Sequence, residues 1–356
     1  MQNKPTITVP KHSPFTQRVG INYDAWATNW YTGASSEAMV TKQIDTILPD
    51  FATIHLYRLC GWTEIVSNND LDPVTQSVLS AVVASNQSGV TVEVSLGTSN
   101  GLVPLLANGD GTYSAAKYCS AWLNALVGFF NDTAMLKQTI KVITLGNELD
   151  TSSVTPDELG KAMDNLYAAL SAHPDDYSSI PLSISLSNMS LTNKWGTFAN
   201  STSDNLMATV TAHWKSTWNH GQAFLFANHY PKWIYDPNGN KNGLDGYLAG
   251  VQAYNADTHK SNEGKAYDID IYVGETGYTA ESGKEADEAT YINDLFGWLE
   301  AQRSAHGNCI PLFIFEGFNE PKKPAGQQAM GIYDCDKTTG EPEGLKANIS
   351  IPKWVK

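Results

Sequence analysis

Short β-rich runs alternate with helix-period runs from one end of this 356-residue chain to the other, and that alternation constrains the fold more than any other feature. Val19–Tyr23, Thr53–Leu59, Val90–Leu96, Ile140–Leu145, Leu182–Leu186, Ala223–Ala227, Ile269–Val273 and Leu312–Phe315 read as strands. Helices are expected between them, over Ser35–Leu48, Pro73–Ala84, Ser114–Phe130, Asp204–Lys215, Leu244–Tyr254 and Glu285–Gln302. A further one opens at Thr155-Pro156-Asp157-Glu158, a capping box with proline at the first helical position. The strands are near-continuous apolar runs, as expected when both faces of a parallel sheet are covered. The pattern predicts an α/β fold, a single (β/α)8 TIM barrel spanning residues 1–356. A doubly wound sheet is the competitor, but no G-x-G-x-x-G follows the first strand. A compact barrel needs about 250 residues, which leaves on the order of 100 for loops and termini.

Charge narrows the partners. Lys and Arg number 23 against 37 Asp and Glu, a formal net charge of −14. Such a surface repels phosphate backbones and anionic lipid heads, so neither nucleic acid nor membrane is the expected partner. No apolar run reaches the roughly 20 residues that span a bilayer. The start, Met1-Gln2-Asn3-Lys4, lacks the apolar stretch of a signal peptide. The chain is read as either cytoplasmic or a mature form whose leader has been removed. Cys60, Cys119, Cys309 and Cys335 have no C-x-x-C spacing; they permit disulfides without requiring any.

Barrel enzymes hold their chemistry where strands end. The first strand ends in Asn22-Tyr23, followed by Trp26 and Trp30; the second is followed by Arg58 and Trp62. Asn147-Glu148 follows the fourth strand, and His229-Tyr230-Pro231 with Trp233 follows the sixth. Glu275 stands between Gly274 and Gly277 after the seventh, and Glu316, Glu320 and Lys323 follow the eighth. The glycines around Glu275 are expected to let the backbone turn sharply. Carboxylates thus converge on one mouth among aromatic rings. Glycoside hydrolysis needs two carboxyl groups flanking a bond, and flat rings suit the apolar C–H faces of sugars. No H-E-x-x-H or Cys/His cluster offers metal-ligand spacing, and no G-x-S-x-G elbow is present. No cofactor is expected. Trp122 and Trp298 fall at core spacing on helix faces, and His229 reads as a structural neighbour.

These residues resemble a known family. Asn147-Glu148 with Glu275 is the pattern of the barrel clan of retaining glycosidases. Within it, the chain is most similar to glycoside hydrolase family 17, the β-1,3-glucanases and β-1,3-glucanosyltransferases. The matching runs are Val19–Tyr23, Arg58–Gly61, Ile143–Glu148, Asn228–Pro231, Val273–Gly277 and Phe313–Lys323, and they span nearly the whole barrel. Cys60 stands where the family often has Tyr, and Tyr278-Thr279 where it usually has Trp-Pro. The resemblance implies a retaining double displacement, with Glu148 as acid/base and Glu275 as nucleophile. Asn147 would donate to a sugar 2-hydroxyl, and Glu320 would be a third acidic residue supporting the site. Tyr23, Tyr230 and Lys323, with Trp26, Trp30, Trp62 and Trp233, would meet substrate; Arg58 and Glu316 would support it. The implied substrate is a β-1,3-glucan oligo- or polysaccharide, the location secreted or cell wall, and the working unit a monomer. Water as acceptor gives a hydrolase and a second sugar gives a transferase. A mannanase or cellulase of the same clan, or a non-catalytic glucan-binding barrel, are the alternatives.

Overall fold

A computed structural model describes residues 7–24, 34–57, 71–187, 201–218, 221–236, 243–256, 267, 269–279, 283–320, 323 and 326–355. Trp26, Trp30, Arg58, Cys60 and Trp62 lie outside the described residues. Eight parallel strands close into a barrel in chain order. They are β1 (Val19–Tyr23), β2 (Thr53–Leu56), β3 (Glu93–Gly97), β4 (Ile140–Leu145), β5 (Leu182–Ser187), β6 (Phe224–Asn228), β7 (Asp270–Thr276) and β8 (Leu312–Ile314). Closure comes from β8 against β1, with Val19 opposite Leu312 and Ile21 opposite Ile314.

Helices cover the outside: α1 (Ala34–Ile47), α2 (Pro73–Gln87), α3 (Leu102–Asn108), α4 (Ala115–Phe130), α5 (Thr133–Thr139), α6 (Pro156–Ala172), α7 (Ser201–His213), α8 (Leu244–Ala256) and α9 (Glu285–His306). Helix α6 starts where the capping box requires. Thr155 Oγ1 accepts from Glu158 N, and Glu158 Oε2 accepts from Thr155 N. Its Leu159, Met163, Leu166 and Leu170 are buried at helical spacing against the barrel. Trp122 and Trp298 are buried on α4 and α9, as their spacing predicts. The short helices α3 and α5 have no counterpart in the sequence reading, because each spans only seven residues.

The barrel interior is packed. Phe226 and Phe313 meet edge to face, His55 packs at a tilt against both, and His55 Nδ1 lies 2.9 Å from Ser95 Oγ. Burial pushes the His55 imidazole down to about 3, so it stays neutral among these rings. The amino-terminal end is held by polar braces. Asn86, at the end of α2, donates through Nδ2 to Val92 O and to Thr139 Oγ1, and its Oδ1 accepts from Val92 N. Cys119, Cys309 and Cys335 are buried free thiols.

Beyond the barrel, β9 (Tyr333–Cys335) and β10 (Pro342–Leu345) form an antiparallel hairpin that the sequence reading lacks. It is tied to the end of β8. Lys346 Nζ binds Glu288 of α9 at 2.9 Å and Asn319 Oδ1 at 3.1 Å, and Asn319 Oδ1 also accepts from Gly331 N.

Asn86→Ala leaves Val92 N–H and Thr139 Oγ1 without their partner, and should cost at least about 2 kcal/mol in urea unfolding. Activity per folded molecule should be unchanged, because the brace sits at the strand starts and the carboxylates at the strand ends.

Candidate active site

The acid-bearing turn is built by its neighbours. Gly146 leaves β4 at φ +70°, and Glu148 follows in the left-handed region at φ 52°, ψ 48°. A non-glycine residue is uncommon there and has to be held. Thr98 Oγ1 accepts from Gly146 N at 3.0 Å, and Asn100 Oδ1 from Asn147 N at 2.7 Å, so the loop after β3 fixes the turn. The carboxyl of Glu148 is half-buried and receives one long contact, 3.4 Å from Asn228 Nδ2. Burial pushes its pKa up and the Asp150 charge adds to that, while Asn228 opposes.

Glu275 on β7 is 4% exposed. Its flanking glycines serve close approach rather than a turn, since neither has a positive φ. A Cβ at Gly274 would lie 2.5 Å from Asn228 Oδ1, and one at Gly277 would lie 2.0 Å from Phe315 O. The carboxylate is fixed by two donors. Tyr230 Oη donates to Oε2 and Asn147 Nδ2 donates to Oε1 at 3.1 Å, while the buried Tyr57 phenol faces the group without a hydrogen bond among the described residues. Asn147 is oriented in turn by Asn228 Nδ2 at 3.2 Å from its Oδ1, and Asn228 Oδ1 accepts from Ser185 Oγ. Burial pushes Glu275 up to about 7; the Tyr230 bond opposes this most strongly, Glu148 adds to it, and Tyr57 and Asn147 oppose.

Burial raises both carboxyls, and the Glu148 charge adds to the rise at Glu275. Two side-chain donors bond the Glu275 carboxylate and one distant donor reaches Glu148, so hydrogen bonding favours the charge on Glu275 and the proton on Glu148. That is the division needed for an acid beside a nucleophile.

A cavity of about 630 Å³ opens over the pair, and its walls include Asp24, Tyr57, Tyr230, Lys232, Tyr278, Phe315 and Lys323. It brings together Glu148, Glu275, Asn147, Tyr230 and Lys323 from the sequence reading. Tyr23 is a correction. It is 3% exposed, and its hydroxyl donates to Gln43 of α1 at 2.7 Å. Strand alternation turns Asn22 into the barrel, where it donates to Gly274 O, and sends Tyr23 outward. Trp233 is half-buried outside the cavity lining, its ring 4.9 Å from Lys232 Nζ. Glu320 and Glu316 are buried behind the wall and reach the cavity through Lys323, which pairs with both. His229 stacks on Tyr247 at 3.9 Å and is structural.

Tyr57 and Asn228 are functional residues the sequence reading did not select. Tyr57 was hidden because the second strand was drawn through it; the strand ends at Leu56, which makes Tyr57 a strand-end residue. Asn228 is the last residue of β6, and its place beside His229-Tyr230 was the available signal.

Removing the Tyr230 hydroxyl takes away a bond that favours ionised Glu275. Tyr230→Phe should therefore move the acidic limb of the kcat/KM profile to higher pH. A limb that stays in place would mean the phenol does not hold the carboxylate.

No protein in a search of curated sequences matches this chain. Among solved structures, a plant β-glucan endohydrolase is 21% identical with a TM-score of 0.59, the match covering 88% of this chain and 96% of that one. CJP38, a β-1,3-glucanase and allergen of Cryptomeria japonica pollen, is 18% identical with a TM-score of 0.62, covering 94% and 100%. An endo-laminarinase from Formosa is 16% identical with a TM-score of 0.58, covering 90% and 84%. At these identities the likeness shows the fold. The sequence itself matches the family model of glycosyl hydrolases family 17 over residues 81–340, and the chain belongs to that family.

Proposed function

We propose that this glycosidase cleaves β-1,3-glucan by retaining double displacement. The observation that carries the reading is the pair Glu148 and Glu275 over one cavity, with Glu275 held by Tyr230 and Asn147. Glu275, ionised, attacks the anomeric carbon and forms a glycosyl-enzyme. Glu148 gives its proton to the departing oxygen, then takes a proton from the incoming acceptor. The donors on Glu275 fix its attacking oxygen before substrate arrives, so little reorganisation accompanies the step. Both phenols remain protonated, since burial raises Tyr57 and Tyr230 well above the ordinary value.

The β-1,3 linkage is supported by the family and by two structural neighbours, one a β-1,3-glucanase and the other an endo-laminarinase. The acceptor is water or a second sugar, the latter making the enzyme also a β-1,3-glucanosyltransferase. Tyr230, Tyr278 and Phe315 offer ring faces in the cavity wall for a sugar acceptor. Trp233 lies outside that wall, so the transfer reading rests on these rings rather than on it. A polymeric substrate of this kind fits a secreted or wall-associated monomer.

Glu148→Gln and Glu275→Gln should each lower turnover on laminarin by several orders of magnitude with the fold intact. Retention of more than about a tenth of wild-type activity, under roughly 1.4 kcal/mol of barrier, overturns the assignment. Proton NMR of the first product should show the β-anomer before mutarotation; an α-anomer first would mean inversion. At millimolar laminarioligosaccharide, elongated products should accompany shortened ones, and their absence would leave a glucanase alone.

A further inference from the structure

Lys323 is unusual for a lysine on a binding wall, because two buried carboxylates hold its ammonium. Its Nζ lies 3.0 Å from Glu316 Oε2, pairs with Glu320, and stands 4.3 Å from the centre of the Phe315 ring. Its side chain is 18% exposed, against 2% for each glutamate side chain. Glu320 is three residues from Lys323 in the same loop, whereas Glu316 is bonded to the barrel itself. Its N–H donates to Met330 O, its carbonyl accepts from Ile332 N, and Gly317 N donates to Asn22 O at the end of β1.

The rigid partner is also a costly one. Glu316 Oε1 is buried with no hydrogen-bond partner among the described residues, and Lys323 is the cation paired with its other oxygen. The charged and titratable groups facing Glu316 come from four other strand ends: Asp24 after β1, Tyr57 after β2, Tyr230 after β6 and Glu275 on β7. Burial pushes its carboxyl up, with Asp24 and Glu275 adding to the rise, and Lys323 is the group that pulls it back down. A barrel closed only for stability would fill this place with an apolar side chain.

We propose that Glu316 is a positioning residue, which fixes the Lys323 ammonium against Phe315 so that a hydroxyl of the bound glucan meets a preset donor. This rests on reading the cavity as a β-glucan site. An ammonium has three donors, and with two directed at carboxylates one remains for a ligand. A free lysine stem loses rotamer freedom when it is immobilised. Glu316 imposes that loss at folding, so it is not met at each binding event.

The test compares Glu316→Gln, Lys323→Gln and the double variant. KM and kcat are measured on laminarioligosaccharide, and affinity for laminaripentaose by calorimetry in a Glu275→Gln background. Glu316→Gln keeps the shape of the side chain and removes its charge. It should raise KM and the dissociation constant about tenfold, with the loss falling in KM rather than kcat. Lys323→Gln should do at least as much, and the double variant should bind no worse than Lys323→Gln alone, because Glu316 acts through Lys323. Multiplying effects, or an unchanged affinity in Glu316→Gln, would overturn the proposal. So would a fall in melting temperature with no change in affinity, the mark of a purely structural pair. If the wild type neither binds nor cleaves β-1,3-glucan, the functional reading fails first. The same variants are then ranked on cello- and manno-oligosaccharides, where equal affinities would overturn the role of Glu316.

Discussion

The carboxylate of Glu275 is met by side chains from three other strand ends, and much of the barrel's design follows from that. Asn147 after β4 and Tyr230 after β6 donate to it, and the Tyr57 phenol after β2 faces it. Bringing them to one oxygen pair needs a closed sheet of fixed register, because a slip of one residue would turn each side chain to the opposite face. The close contacts at Gly274 and Gly277 belong to the same requirement: they let β7 lie against β6 and β8 closely enough for the bonds to form. Register and packing here serve chemistry as much as stability.

Charge in the cleft follows a common rule. Burial raises Glu148, Glu275 and Glu316, and each is answered to a different degree. Glu275 has two donors, Glu148 one distant donor and a nearby Asp150, and Glu316 a single ammonium. Two glutamates on one cavity thus become different reagents through their neighbours. The barrel interior below them carries a neutral His55 among aromatic rings, so that imidazole adds no charge to this arrangement.

The eight strands and the start of α6 were legible because apolar runs and a capping box are local signals. Asn147-Glu148 and Glu275 were legible because strand ends carry function in this architecture. Tyr23 was misread because placing it at a strand end says nothing about which face it takes; alternation sent Asn22 inward instead. Tyr57 was missed through a strand boundary drawn a few residues too long. The glycines were noticed for the right position and the wrong reason: their need is for space across the sheet, which only the neighbouring strands reveal. The ion pairs of Lys323 and Lys346 join residues whose meeting depends on the path of the loop and hairpin after β8, and no local pattern encodes that path.

The order of synthesis gives the Lys346 tie another meaning. The residues of the catalytic pair are both in place by position 275, yet the barrel closes only when Leu312–Ile314 pairs with β1. The wall that carries Lys323 is then anchored through Asn319 to Lys346, on the far side of the β9–β10 hairpin. A chain still emerging from the ribosome thus holds both glutamates in an unclosed sheet until the strand and hairpin that follow them have been made. The two reacting groups are synthesised first, and the segment that joins them into one cleft comes after them.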